Sequence, residues 1–299
     1  MKQSVYNMVK RLLPYLPVTR SICAENEALR AAFLQVNAFH SALHDDAGLY
    51  RQHAAGLPPD FDIIMPVCNA APWLEAICDA HAALGLTPLY IIDQRSSDAS
   101  LDILQRRRAR IMEATGSQPY AESLLLGILP ALKAKWVMRL DDDELPSVKL
   151  LEYIRTVLPG LSASMVGMPR HWVMQAPEGW LRTRAEPGKG IFGADYQYRL
   201  FQPRLVQPTH EVHSPGYTVE NAVDGPIEAA LYHFDWVVRS HAERQKKVNR
   251  YDAQQPGIGA KCAPFYLPED HALKLYDFEA LTDAAVLDIC VRLASSAHL

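Results

Sequence analysis

The order of apolar and polar positions between residues 61 and 158 predicts strands that alternate with helices. Short apolar runs suited to buried strands stand at 61–67, 88–93 and 136–140, and 111–115 has the pattern of a short edge strand. Helical stretches are expected at 73–84, 99–110, 120–129 and 148–158. This rhythm indicates βαβ units with right-handed crossovers, and therefore an α/β fold with a mostly parallel sheet flanked by helices.

The pattern changes after residue 160. Strands are expected at 165–173 and 196–201, on either side of a loop rich in proline and glycine at 176–193. A strand or strand-to-helix passage is expected at 231–238, a strongly basic helix at 239–253, and a mostly helical segment at 267–299. The chain therefore divides into a regular α/β half and a less regular second half.

The N-terminal segment is predicted to be a helical extension. Apolar residues between 22 and 43 recur at spacings of three, four and seven, which is typical of an amphipathic helix. The expected divisions are an extension at 1–57, a central domain at 58–255 with halves 58–146 and 147–255, and a helical C-terminal segment at 256–299. The basic start of the extension permits peripheral membrane contact, although packing on the domain is the simpler interpretation.

Composition excludes several classes of protein. The net charge of −4 argues against a general nucleic-acid binder. Neither a run of transmembrane length nor a signal peptide is apparent. Five cysteines without any Cys-x-x-Cys pair favour reduced thiols in a cytosolic protein over a disulfide framework or a zinc site.

Four consecutive acids, Asp141 to Glu144, follow the apolar run 136–140. They repel one another unless a cation lies among them, and strand geometry would place Asp141 and Asp143 on one side. That spacing suits Mg²⁺ or Mn²⁺ held together with substrate phosphates. The alternative is a solvated acidic turn before a helix, with Pro146 at the helix start and Glu144 at its positive end. The residues of this run leave both interpretations open.

Polar residues also follow the first two predicted strands. Asn69 comes after 61–67, and Asp93 ends 88–93. In parallel sheets, ligands bind beyond the carboxyl ends of the strands, where Asn69, Asp93 and Asp141 all fall. The sequence therefore predicts a ligand site at this edge of the sheet.

Several motifs resemble those of family 2 glycosyltransferases. They are MPVCN at 65–69, IDQRSSD at 92–98 and LDDDELP at 140–146, then DYQYRLF at 195–201, HE at 210–211, LYH at 231–233 and the helix at 240–251. The later motifs resemble a bacterial branch related to lipopolysaccharide-core glucosyltransferases. The resemblance covers residues 61–255 and implies a GT-A fold, in which a nucleotide-sugar-binding half precedes a more variable acceptor half.

The resemblance also implies roles for particular residues. Nucleotide or diphosphate contacts are expected from Pro66, Asn69, Asp93, Asp98, Asp141, Arg199 and Lys247. A Mn²⁺ or Mg²⁺ ion is expected on Asp141, Asp143 and His233, and Glu211 is the expected catalytic base of an inverting reaction. Two departures stand out: Gln94 and Arg95 replace a second acid and a glycine, and His210-Glu211 replaces a Glu-Asp pair. The residues themselves leave His233 open to a buried structural role and Glu211 to a pair with Arg204.

The expected function is metal-dependent transfer of a sugar from a nucleotide-sugar donor, with UDP-sugars favoured, to a glycan or lipid-linked acceptor. The expected setting is bacterial surface polysaccharide or lipopolysaccharide assembly, in the cytoplasm or at the inner face of the membrane. A nucleotidyltransferase acting on a sugar phosphate is one alternative, but it needs a glycine-rich basic loop where residues 67–72 read VCNAAP. A catalytically inactive GT-A binding module is the other, and the intact Asp141, Asp143, Glu211 and His233 argue against it.

Overall fold

The computed structural model describes residues 47–116, 121–177, 179–186, 190–193, 195–208, 217–218, 220–272 and 275–296. The predicted amphipathic helix at 22–43, with its expected membrane contact, lies outside these residues, as do His210 and Glu211. Among the described residues, no helix combines the length and the apolar character needed to cross a membrane.

The strands follow the predicted order in the first half of the chain. They are β1 Phe61–Val67, β2 Leu89–Asp93, β3 Arg110–Ala114, β4 Trp136–Arg139 and β5 Glu144–Pro146. The second half adds β6 Met165–Ala176, β7 Gly179–Thr183, β8 Tyr196–Phe201, β9 Gln207–Pro208, β10 Tyr217–Thr218, β11 Ala222–Asp224, β12 Leu231–His233 and β13 Phe278–Ala280.

Helices separate the strands. They are α1 at residues 47–55, α2 Ala71–Leu84, α3 Ser100–Arg106, α4 Ala121–Ile128, α5 Val148–Thr156, α6 Asp235–Val238, α7 His241–Gln254, α8 Ile258–Tyr266 and α9 Ala284–Ser296. Short 3₁₀ turns occur at Leu129–Ala131, Leu158–Gly160, Gly190–Phe192 and Pro268–Asp270. Helix α2 ends at Gly85, whose φ of 75° is the left-handed conformation that glycine adopts most easily.

One sheet runs through the described part of the chain, in the order β13-β7-β6-β8-β4-β1-β2-β3. Strands β4, β1, β2 and β3 are parallel neighbours, while β8 pairs antiparallel with both β4 and β6. Strand β12 lies between β5, to which it is antiparallel, and β6, to which it is parallel. The predicted α/β class with a parallel sheet flanked by helices is confirmed, and the second half is mixed.

The parallel strands β1, β2 and β4 are buried on both faces. Ile63, Met65 and Val67 face one hydrophobic core, which includes residues of α2, α5 and α9, while Ile64 faces a second core with residues of α4. This alternation is the period-two pattern of a strand, and burial on both faces explains the continuous apolar runs of the sequence. Helix α1 contributes Tyr50, which is fully buried in the first core.

Two predictions for the second half were wrong in part. The loop expected at 176–193 contains β7, which forms a hairpin with β6. The segment expected to be mostly helical from residue 267 contains β13, which pairs with β7. Both strands are short, and β7 also lies beside prolines and glycines, so periodicity carries little signal there.

Candidate active site

The loops that follow β1 and β2 are joined by hydrogen bonds. The Asn69 backbone N–H donates to Ser96 Oγ at 2.8 Å, and Asn69 Oδ1 accepts from the Ser97 N–H at 2.8 Å. Asp98 Oδ2 accepts from the Ala71 N–H at 2.8 Å. The φ of Asn69 is 53°, a left-handed value that asparagine tolerates better than most residues. Asn69 and Asp98, expected to contact a nucleotide, therefore also fix the shape of this loop pair.

Asp93, at the end of β2, forms a local ion pair. The Arg95 guanidinium donates to both of its carboxylate oxygens, with Nη2 at 2.5 Å from Oδ2, and the Arg95 N–H adds a bond of 2.9 Å to Oδ1. Burial would raise the pKa of Asp93, but these bonds hold it below its ordinary value. Asp93 is 5 % exposed, and Arg95 is bonded to the carboxylate that the resemblance assigns to the nucleotide. Arg95 therefore covers this carboxylate.

The acidic run does not continue as a strand or lead into a helix. Strand β4 ends at Arg139, the chain turns at residues 142–143, and Glu144 begins β5. Helix α5 is capped instead by Ser147, whose Oγ accepts from the Leu150 N–H at 3.1 Å. The solvated acidic turn, with Glu144 and Pro146 starting the next helix, is therefore wrong.

Arginines of the same chain surround Glu144 and Asp141. Glu144 is fully buried and lies 2.6 Å from Arg199 Nη1 and 3.5 Å from Arg170 Nη1. Asp141 pairs with Arg199 Nη2 at 2.8 Å and with Arg139 Nη2 at 3.1 Å. A buried carboxylate is costly unless it is paired and hydrogen-bonded. Two of the four acids are thus paired with side chains from β4, β6 and β8.

Asp143, His233 and Asp235 form the centre of the site. Each is at most 2 % exposed, and His233 Nε2 lies 3.3 Å from Asp143 Oδ1. Strand β12 carries His233 beside Glu144 of β5, and the Trp172 ring of β6 packs edge-on against the imidazole at 4.1 Å between centroids. Both neighbouring strands therefore fix the position of His233.

Arg239 and Lys247 supply positive charge to these acids. Arg239 Nη1 contacts Asp143 Oδ2 and lies 2.8 Å from Asp235 Oδ1, which also accepts from Lys247 Nζ at 2.8 Å. Arg239 Nη2 reaches Asp142 Oδ1 at 3.3 Å. The sequence predicted Lys247 as a site residue, whereas Arg239 was expected only as part of the basic helix.

The cations do not fully stabilise the negative charge of this cluster. Burial would raise the pKa of Asp143, but Arg239 holds it well below its ordinary value. Lys247 and Arg239 likewise lower the pKa of Asp235 against the effect of burial. At Asp142 burial prevails over Arg239, and with the help of Asp143 it raises the pKa to about 7. The cluster can therefore accept further positive charge.

The side chains at the centre fit a divalent cation. Asp143, His233 and Asp235 each offer one ligand atom, and these atoms lie within 4.8 Å of one another. Asp235 Oδ2 is buried and has no hydrogen-bond partner among the described residues. Two carboxylates and an imidazole suit Mn²⁺ better than Mg²⁺, which prefers oxygen ligands alone. The structure gathers Asp235 with Asp143 and His233, while Asp141 lies among arginines.

A cavity of about 430 Å³ lies beside the cluster and has Arg239 in its wall. Its other walls include the aromatic rings of Trp180, Trp236, Tyr276 and Phe278. This volume is within the usual range for small-molecule sites, roughly 300–1,000 Å³.

The site combines residues that the sequence predicted with others that it missed. Asn69, Asp93 and Asp141 lie at or just beyond the ends of β1, β2 and β4, as predicted. Pro66 is buried inside β1, and Arg199 is paired with Glu144 and Asp141. Asp235 and Arg239 were missed, although the charges two and six positions after His233 are a usable signal.

Comparisons with known proteins gave matches among solved structures alone. No family model matches the chain, and no curated protein matches it. S. aureus TarS is 11 % identical, with a TM-score of 0.40, over 72 % of this chain and 74 % of that chain. TarS in complex with UDP-GlcNAc gives 11 % identity, a TM-score of 0.41, and 72 % and 75 % coverage.

Another match is glucosyl-3-phosphoglycerate synthase from Mycobacterium tuberculosis, solved with Mn²⁺, UDP-glucose and phosphoglyceric acid. It is 14 % identical, with a TM-score of 0.39, over 67 % of this chain and 81 % of that chain. At these scores the likeness assigns neither a family nor a function to this chain, so both depend on the residues described above.

Proposed function

We propose that this chain is a glycosyltransferase that moves a sugar from a nucleotide-sugar donor to a glycan or lipid-linked acceptor. The observation that carries the proposal is the grouping of Asp143, His233 and Asp235 with Arg239 and Lys247 at the carboxyl edge of a parallel sheet. That edge is where α/β folds bind nucleotides. The mixed charge there suits a leaving group with two phosphates.

The donor is proposed to lie along the ends of β1, β2 and β4. Asp93 is the candidate for contact with the nucleobase, and Asp141 for contact with the ribose. Asp141 is 28 % exposed and therefore accessible to the ribose hydroxyl groups. Arg239 and Lys247 are the candidates for the diphosphate, whose negative charge grows as the glycosidic bond breaks. An arginine pairs with phosphate through two parallel hydrogen bonds, which orients as well as neutralises it.

A divalent cation, Mn²⁺ or Mg²⁺, is proposed on Asp143, His233 and Asp235. When bound, it would act as a Lewis acid on the departing diphosphate. The chain's own part is to hold these three side chains in place. His233 is fixed between two strands, and the Asp143 carboxylate is kept ionised by Arg239.

The acceptor half, residues 147–255, is proposed to bind the acceptor. Glu211 is proposed as the base that removes the acceptor hydroxyl proton in an inverting reaction. The proposed setting remains bacterial surface polysaccharide assembly in the cytoplasm. The aromatic cavity beside Arg239 is available to a sugar, because sugar rings stack on aromatic faces.

The test is donor hydrolysis without an acceptor. The full chain is incubated with UDP-, GDP- and dTDP-sugars and Mn²⁺, and release of nucleoside diphosphate and free sugar is measured. Glu211→Gln is expected to bind the same donor and to hydrolyse it about a hundredfold more slowly. Glu220→Gln, the same change nine positions along, is the matched control and should leave the rate unchanged.

Two results would contradict the proposal. The first is the absence of both binding and hydrolysis for every nucleotide sugar, with and without Mn²⁺. The second is release of pyrophosphate from a nucleoside triphosphate and a sugar phosphate, which would identify a nucleotidyltransferase. A hydrolysis rate of Glu211→Gln equal to that of the unchanged chain would place the base elsewhere.

A further inference from the structure

The Arg239 guanidinium occupies the point where three carboxylates converge. Its Nη1 contacts Asp143 and lies 2.8 Å from Asp235, and its Nη2 lies 3.3 Å from Asp142. The guanidinium also stacks on the Trp73 ring, 4.3 Å from the ring centroid. These contacts come from the turn before β5, from α6 and from α2, so the guanidinium holds together parts of the site that are distant in sequence.

These contacts put a positive charge beside the candidate cation site. Arg239 engages one oxygen of Asp143 and one of Asp235, which are two of the three groups that could hold a metal ion. Two positive groups a few ångströms apart in a mostly buried site repel strongly. A cation on these carboxylates therefore competes by charge with the guanidinium, which is favoured to move away.

The sum of the charges at the site indicates where the guanidinium would move. Asp143 and Asp235, the two carboxylates that would hold the cation, contribute two negative charges against two positive charges from Arg239 and Lys247. A divalent cation alone changes the sum from 0 to +2, and a diphosphate then adds at least two negative charges. Cation and diphosphate thus offset each other, and an Arg239 that leaves the carboxylates acquires a phosphate partner.

The surroundings of Arg239 leave room for this movement. Its side chain is 16 % exposed and forms part of the wall of the 430 Å³ cavity. Lys247, on the next helix, also lies 2.8 Å from Asp235 Oδ1, so Arg239 is not the only positive partner of that carboxylate. The Arg239 side chain can therefore leave the carboxylates while its backbone N–H keeps the hydrogen bond to Asp235 O at the end of α6.

We propose that Arg239 is the resident counterion of the cation site. It holds Asp143 and Asp235 together before a divalent cation enters, and it moves to the donor diphosphate when cation and donor bind together. The first half of this statement concerns the protein and the cation alone, whereas the second half rests on the proposed function. Arg239 thereby makes cation binding weak without the donor and strong with it.

The experiment measures Mn²⁺ binding to the full chain without nucleotide, by calorimetry and by the electron paramagnetic resonance of free Mn²⁺. Arg239→Met is expected to bind Mn²⁺ at least about tenfold more tightly than the unchanged protein, because the competing guanidinium is gone. Lys246→Met removes the same charge from an exposed position of α7 and should bind Mn²⁺ as the unchanged protein does. Arg239→Lys keeps a competing charge and should stay within about threefold.

A second arm repeats the titration with UDP. In the unchanged protein, UDP should tighten Mn²⁺ binding by at least about tenfold, and Mn²⁺ should tighten UDP binding by the same factor. In Arg239→Met this coupling should fall below about threefold. For each protein, the contribution of the complex that Mn²⁺ and UDP form in solution is subtracted first. Lys246→Met should retain the full coupling.

Three outcomes would overturn the counterion role. They are Mn²⁺ binding by Arg239→Met that is no tighter than that of the unchanged protein, full coupling in that variant, and failure of every folded variant to bind Mn²⁺. If Arg239→Met does not fold, Arg239→Lys decides, since a tenfold gain there would contradict competition by charge. Tighter Mn²⁺ binding without any UDP binding would keep the counterion role and reject the proposed function.

Discussion

Two polar clusters lie at the same edge of the sheet and are stabilised in opposite ways. Around Asn69, Asp93 and Asp98 the partners are two to 28 positions away, and much of the cluster is exposed. Around Asp142, Asp143 and Glu144 the arginine partners are 26 to 97 positions away and come from later strands and from the end of α6. We refer to them as the local cluster and the distant cluster.

The difference concerns what each cluster does for the fold. Bonds between neighbours in the chain shape a loop, and water can replace them at little cost. Buried charges with distant partners tie the second half of the chain to the first, and removal of one partner leaves the other charge uncompensated. The distant cluster should therefore govern stability, and the local cluster mainly the geometry of the loops.

The largest effect is expected from a break in the distant cluster at a residue that is not itself a candidate metal ligand. Glu144→Gln leaves the buried Arg199 and Arg170 with one carboxylate fewer, and should lower the free energy of unfolding by about 3 kcal/mol. Chemical denaturation at pH 7 measures this. Glu152→Gln, which breaks the exposed pair with Lys149, is the control and should leave the denaturation midpoint unchanged. A similar result for both variants would remove the distinction between the clusters.

An intermediate effect is expected from a buried neutral group in the half that holds the distant partners. Burial, aided by Arg182, lowers the pKa of His171 to about 4, whereas the unfolded chain takes up that proton near pH 6.5. Between pH 7 and pH 5 the unfolded state therefore gains a proton that the folded state does not. His171 should contribute a loss of about 2 kcal/mol of stability over that window.

The variant His171→Gln should show a pH dependence flatter by that amount. Asp142 is unchanged in the variant, so its own titration cancels when the two proteins are compared. His241→Gln provides the same substitution at a side chain that is 46 % exposed. Parallel stability curves for His171→Gln and the unchanged chain would show that His171 takes up its proton without unfolding.

The smallest effect is expected in the local cluster. Arg95→Ala removes a guanidinium that is 33 % exposed, and the backbone N–H at that position still donates to Asp93. The change in the free energy of unfolding should stay below about 1 kcal/mol. Arg292→Ala, which removes the exposed pair with Asp288, sets the scale for such a change. A loss above about 2 kcal/mol would assign the local cluster the same role as the distant one.

The same division separates what the sequence predicted from what it missed. The strand ends carrying Asn69, Asp93 and Asp141 were predicted because a parallel strand leaves a continuous apolar run with a polar end. Arg199 was predicted as a diphosphate contact, but its pairing with Glu144 and Asp141, and that of Arg170 with Glu144, was missed because it depends on the order of β4, β8 and β6 in the sheet. Periodicity does not encode that order, so the prediction assigned Asp141 to a cation where the chain supplies arginines.

The local sequence at residues 141–146 also led to a wrong prediction. Four acids before a proline are typical of a helix start, yet Glu144 is a strand residue and Ser147 caps the helix. Burial decided this, since Arg199 and Arg170 make a strand with a fully buried carboxylate stable. The roles of Glu211 and of residues 22–43 stay predictions.

Strand β12 has three residues, and it hydrogen-bonds to β5 on one side and to β6 on the other. Successive strand residues point to opposite faces, so a shift of one position would turn His233 away from Asp143 and bring Tyr232 into its place. Insertions before Leu231 can be absorbed by the loop that follows β11, but no length change between Leu231 and Arg239 leaves the site intact. We therefore expect natural variants to differ in length before residue 231 and to keep a fixed length from there to Arg239.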